Sequence, residues 1–134
     1  MDLGETVIVA GIGFRKRISA FQIESAIVAA LHSALLTDAQ LARIATPAGK
    51  ATERAIRDVA AARGLPVICI TQCALEAASP RTLTRSARSL AAMNVHSVAE
   101  CAALAAAGPN SRLLGPRIAV GPVTCALAQG EITA

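Results

Sequence analysis

The chain has 134 residues, enough for one globular domain and too few for two ordinary ones. Hydrophobic residues make up 54% and charged residues 16%, which argues against a disordered chain, and aromatics at 1% leave almost nothing for base stacking. Thirteen Lys plus Arg against nine Asp plus Glu give +4, with arginine far outnumbering lysine, an excess that favours anionic small molecules and is too small to imply nucleic acid.

Residues 5–10 read as a first strand, because Val7, Ile8 and Val9 form a continuous apolar run suited to a sheet buried on both faces. Gly11-Ile12-Gly13 is expected to end it in a loop. Ser19 is placed to cap a helix running to about Leu36, with Phe21, Ile23, Ile27, Leu31 and Leu35 on its apolar side. Thr37-Asp38 begins a short helical turn, residues 41–45 form a second strand, and residues 52–62 form a helix stopped by Gly64 and Pro66. Residues 66–70 are the clearest later strand. Thr71 caps a short helix through Ala77, and Ser79-Pro80 turns the chain.

From Thr82 another helix is expected, in which Arg81, Arg85 and Arg88 share one side. Ser97 and Glu100 have the spacing of a capping box for the next helix, which stops near Gly108-Pro109. Residues 117–120 and 123–128 are extended, and Gly121-Pro122 between them suits a hairpin. This alternation predicts a single α/β domain over residues 1–134, in three layers, with a mixed, mainly parallel sheet and a C-terminal hairpin. No stretch reaches membrane-spanning length without charges or Pro/Gly, and the acidic Met1 to Glu5 start lacks the pattern of a secretory signal, so the expected location is the cytoplasm, away from the membrane.

The strongest local feature is Gly11 to Arg17, GIGFRKR. Gly11 and Gly13 would let a ligand approach the backbone, free amides would receive an anion, and Arg15 could grip a carboxylate in two places. The bland reading is a tight turn with a solvated basic face. A dinucleotide fingerprint is excluded, since its third glycine and its acidic ribose partner are missing.

A second candidate is the segment Ala45 to Glu53, in which Lys50 would bind an anionic group and Glu53 would orient it or move a proton; an ordinary ion pair at a helix start is the alternative. Ser97 beside His96 is better explained as a cap than as a nucleophile, and His32 is structural or at the surface. Cys69, Cys73, Cys101 and Cys125 sit in apolar contexts and read as structural or buried thiols. With only His32 and His96 to complete a ligand set, neither a metal nor another cofactor is expected.

Taken together, GIGFRKR at 11–17, ATPAGKATE at 45–53, HSVAECAALAAAG at 96–108 and VTCALA at 123–128 resemble the cobalamin-biosynthesis family of CobE and the C-terminal domain of CbiG, over nearly the whole chain. The family commonly has Cys where this chain has Phe14, which rules out a thiol role at that position. Its usual lysine before the last strands falls near Pro116-Arg117, where Arg117 keeps the charge, and Lys50 and Glu53 are retained. The resemblance implies a precorrin or other corrinoid intermediate with several carboxylates as partner, bound by Gly11, Gly13, Arg15, Lys50 and Arg117, and a second enzyme of the pathway as a further partner. The enzyme alternative is a small hydrolase acting on a lactone-bearing precorrin or an acyl fragment, with Glu53 activating water and Lys50 or Arg15 stabilising negative charge. A non-catalytic accessory subunit is the third reading.

Overall fold

A computed structural model describes residues 5–15, 17–50 and 53–132. Its six-stranded sheet has the order β3-β2-β1-β6-β4, with β5 also paired to β6. The strands are β1 (Glu5–Phe14), β2 (Leu41–Pro47), β3 (Val67–Ile70), β4 (Arg112–Leu113), β5 (Ile118–Val120) and β6 (Val123–Ile132). β1 pairs in parallel with β2, and β2 with β3, whereas β6 is antiparallel to β1, β4 and β5. β1 to β5 therefore share one direction and β6 opposes them, which gives the mixed, mainly parallel sheet expected.

The period-2 alternation of β1 sorts the core. Ile8, Ala10 and Ile12 face α1 (Ala20–Ser33) and α2 (Arg54–Arg63), packing with Ile23, Ile27, Ile56 and Val59. On the opposite face Val9 packs with Leu75 of α3 (Gln72–Ala78) and with Leu104 of α5 (Val98–Ala107). Three layers result. Arg63 at the end of α2 joins α1 to α2: its guanidinium grips both Glu24 carboxylate oxygens and also reaches Asp38, at 3.1 Å.

Gly11 and Gly13 do not end the first strand. Both lie within β1, held by β6 through the pairs Gly11↔Ala126 and Gly13↔Thr124, and both face α5. A Cβ on Gly11 would collide with the Ala99 carbonyl oxygen, and one on Gly130 of β6 with that of Ala107. The glycines and the alanine-rich face of α5 thus let a helix lie unusually close to two strands.

The helix caps follow the sequence well. Ser19 forms a complete capping box with Gln22, and the Thr71 hydroxyl accepts from the Ala74 amide at 3.2 Å. α2 closes through Gly64 at φ +67°, as expected. α1 is shorter than its apolar pattern predicted. It stops at Ser33 because Leu36 N–H turns back to the Leu31 carbonyl, which forces Leu35 to φ +59° and leaves its side chain 92% exposed. Phe21, assigned to the apolar side, is also exposed.

The helix expected from Thr82 is confined to α4 (Ala87–Met93), because Thr82 to Ser86 are held in extended and turn geometry. Arg81 and Arg85 therefore form no helical stripe with Arg88; Arg81 instead donates to the Ser111 carbonyl at 2.9 Å. The C-terminal hairpin forms, with Val120 opposite Val123. Its first turn residue, Gly121, takes φ +59°, and Pro122 excludes the turn that needs positive φ at both positions. β4 was not anticipated. Among the described residues no single helix is long and apolar enough to cross a membrane.

Candidate functional site

In an open α/β sheet the carboxyl ends of parallel strands, where neighbouring connections diverge, form a natural crevice. β1 is such a point here, since the chain leaves it through α1 toward β2 while β6 and β5 occupy its other side. A cleft of about 710 Å³ opens at this end. Phe14 and Arg15 come from the end of β1, Pro47 from the end of β2, and Lys50 from the 3-10 turn that follows. Arg88, Ser89 and Met93 come from α4, Val98 from the start of α5, Arg117 from the approach to β5, and Pro122 from the hairpin turn.

The structure brings together Gly13, Arg15, Lys50 and Arg117 and leaves out two of the expected site residues. Gly11 is buried in mid-strand against α5, so it offers no backbone to a ligand. Glu53 is exposed at the N-cap of α2 and does not line the cleft. Arg88, expected from the sequence on one side of a helix with Arg81 and Arg85, adds a fourth cation.

The cleft has a clear chemical division. Phe14, Pro47, Met93, Val98 and Ala119 make an apolar lining, while Arg15, Lys50, Arg88 and Arg117 supply positive charge from four separate segments. Among the described residues none of these cations forms an ion pair, and no carboxylate, histidine or cysteine lines the cleft. Lys50 Nζ lies 5.2 Å from the centroid of the Phe14 ring, a cation–π contact that orients the ammonium without neutralising it. Ser86, Ser89 and Thr124 add hydroxyls; that of Thr124 donates to the Gly13 carbonyl at 3.2 Å.

Glu100 underlies this arrangement. Ser97 caps α5 as expected, its hydroxyl accepting from the Glu100 amide at 3.3 Å. The reciprocal half of the capping box is absent, because the Glu100 side chain turns to other donors. Its carboxylate is fully buried and accepts from Leu83 N–H (2.7 Å), Thr84 N–H (3.0 Å), the Thr84 hydroxyl (2.5 Å) and Arg117 N–H (2.9 Å). The sequence signal was present: α5 is apolar all round except for this one charge, which a buried helix must satisfy.

Burial pushes the Glu100 carboxyl up, but the hydrogen bonds from Thr84, Arg117 and Leu83 outweigh it and hold the group below its ordinary value of 4.5. A carboxylate with a depressed folded-state pKa contributes its full stability above the unfolded value and loses it as pH falls through the folded one. Stability to denaturant is therefore expected to decline as pH drops below about 4.5, and to decline less in Glu100→Gln. Parallel pH profiles of the two proteins would overturn this assignment.

The cysteines lie elsewhere. Cys101 and Cys125 are buried, with thiols pushed up to about 11 and about 12 by burial, so they remain protonated at neutral pH. Cys69 and Cys73 are exposed, contrary to their apolar sequence context, because β3 is a sheet edge and Cys73 sits on the outer side of α3.

The family described as cobalamin synthesis G C-terminus matches residues 8–128. CobE, a protein from the cobalamin (vitamin B12) biosynthetic pathway, superposes with a TM-score of 0.90 at 32% identity, covering 100% of this chain and 97% of that one. The cobalamin biosynthesis protein chiG from Agrobacterium tumefaciens superposes at 0.72 with 40% identity, covering 91% and 97%. A protein described as a cobalamin biosynthesis protein G homolog, from Sulfolobus solfataricus, shares the fold at 0.70 and 23% identity; the match covers 93% of this chain and 37% of that one. No curated protein matches. With the family match spanning most of the chain and CobE superposing over all of it, this chain belongs to the cobalamin synthesis G C-terminus family and is a protein of cobalamin biosynthesis.

Proposed function

We propose that the chain is a cytoplasmic protein that binds a precorrin or related corrinoid intermediate of the aerobic route, and protects it or passes it to another enzyme of the pathway. The observation that carries this reading is the cleft itself: an apolar lining bordered by Arg15, Lys50, Arg88 and Arg117, with no acidic group among the described lining residues. A corrin precursor is an apolar macrocycle fringed by acetate and propionate carboxylates, so ring and fringe each meet a matching surface. The exposed thiols Cys69 and Cys73 suit a reducing compartment.

The position of Glu53 favours binding over the hydrolytic alternative. A general base must come within hydrogen-bond reach of its water and substrate, and Glu53 stands outside the cleft lining. Absorbance titration with metal-free and cobalt-containing corrin precursors, followed by mass spectrometry of the recovered ligand, tests the proposal. Saturable binding with unchanged ligand mass is the expected result. A ligand that loses mass would make the protein an enzyme, and no saturable binding to any precursor would leave the accessory-subunit reading.

A further inference from the structure

Every hydrogen bond to the Glu100 carboxylate comes from a segment that leads into the cleft. Oε1 accepts from Leu83 and Thr84, just before Ser86, the N-cap of α4. Oε2 accepts from the Thr84 hydroxyl and from the backbone of Arg117, whose side chain lines the cleft. α4 has no buried residue of its own. Apart from Met93, which packs half-buried against the core, its other anchors are polar and few, among them Ser86 N–H on the His96 carbonyl at 3.1 Å and Gln72 Nε2 on the Met93 carbonyl at 2.7 Å. A helix with so little apolar burial takes its position from such contacts.

We infer that Glu100 is a positioning residue of the cleft, its carboxylate fixing the segment that carries Arg88 relative to the one that carries Arg117. This rests on the binding reading given above. The charge state and shape of the group matter because four donors converge on two oxygens. A carboxamide has one acceptor oxygen, so Gln at this position sets its NH₂ either against Arg117 N–H or against the amides of Leu83 and Thr84. The Thr84 hydroxyl can turn and accept; a backbone amide cannot. Glu100→Gln therefore releases one wall while the apolar packing of α5 on β1 and β6 is unchanged.

The test combines residue-resolved amide hydrogen exchange with titration of a metal-free corrin polycarboxylate. In Glu100→Gln, exchange at residues 83–93 or at residue 117 is expected to rise about tenfold, with β1 and β6 unchanged, and affinity to fall about tenfold, the scale of one lost bond to a charged group. Thr84→Val, which removes only the hydroxyl bond, is expected to loosen residues 83–93 and leave Arg117 N–H protected. Unchanged exchange in both segments, or an equal rise through β1 and β6, overturns the inference. If Glu100→Gln does not fold, Thr84→Val decides: unchanged exchange at residues 83–93 overturns it. If the wild type takes up no corrin polycarboxylate while the segments still loosen, the tie between the walls stands and the corrin reading alone falls.

Discussion

Gly11→Ala is expected to destabilise the protein by about 3 kcal/mol, the upper range for overpacking, because the collision is with backbone and no side chain can turn aside. The new Cβ would strike the Ala99 carbonyl oxygen and lie 2.6 Å from the Ala103 nitrogen. β1 cannot yield, since it is hydrogen-bonded to β2 on one side and β6 on the other. The helix must lift instead, which loosens the contacts of Leu104 and Cys101 with Val9 and Ala128. Gly49→Ala is the control: nothing lies within 4 Å of its Cβ position, and a change within about 0.5 kcal/mol is expected. Urea midpoints for the two variants check this, and equal midpoints would mean that α5 does not lie on β1 as described. Lifting α5 also displaces Glu100, so Gly11 serves the cleft from beneath without touching a ligand.

The same glycine shows where the sequence stopped being informative. Glycine is the commonest local punctuation of a chain, and Gly11-Ile12-Gly13 after an apolar run reads as a strand end. What overrides that signal is non-local. β6, more than a hundred residues later, pairs with β1 through to Phe14, and α5 needs the space that two missing side chains leave. The parallel half of the sheet and the caps at Ser19, Thr71 and Ser97 were legible because short stretches decide them. Leu35 was misplaced because helical periodicity continues past the residue at which the chain turns, and only the tertiary path fixes that point.

The cleft was half legible for a similar reason. Arg15 and Lys50 were separated from the other cations by their places after strands, Arg117 by the family resemblance, and the fold gathers all three at one cleft. Arg88 was hidden in an apparent helical stripe with Arg81 and Arg85, although the helix begins only at Ala87. Glu53 is the opposite case. Nearness to Lys50 in sequence implied a shared site, and the Glu53 N–H does bond the Lys50 carbonyl at 3.1 Å, but Glu53 is the exposed N-cap of α2 and lies outside the cleft lining.

Replacing Lys50 and Arg117 together by Ala is expected to weaken corrinoid binding about a hundredfold, the sum of two charge-assisted hydrogen bonds at the low end of their usual strength. The two sites lie on opposite sides of the cleft's strand framework, one after β2 and one before β5, so their losses should be nearly additive. Each change spares the scaffold. Arg117→Ala keeps the backbone N–H that Glu100 holds, and Lys50→Ala removes an ammonium whose described contact is the face of Phe14. Arg117→Lys should recover only part of the loss, because an ammonium cannot grip a carboxylate in two places. Glu53→Gln, outside the lining, should bind like the wild type. Isothermal titration of these variants with one corrin polycarboxylate separates the two halves of the argument. A double variant that binds normally would remove the cations from recognition, whereas a strong loss in Glu53→Gln would place the ligand at the start of α2 and away from this cleft.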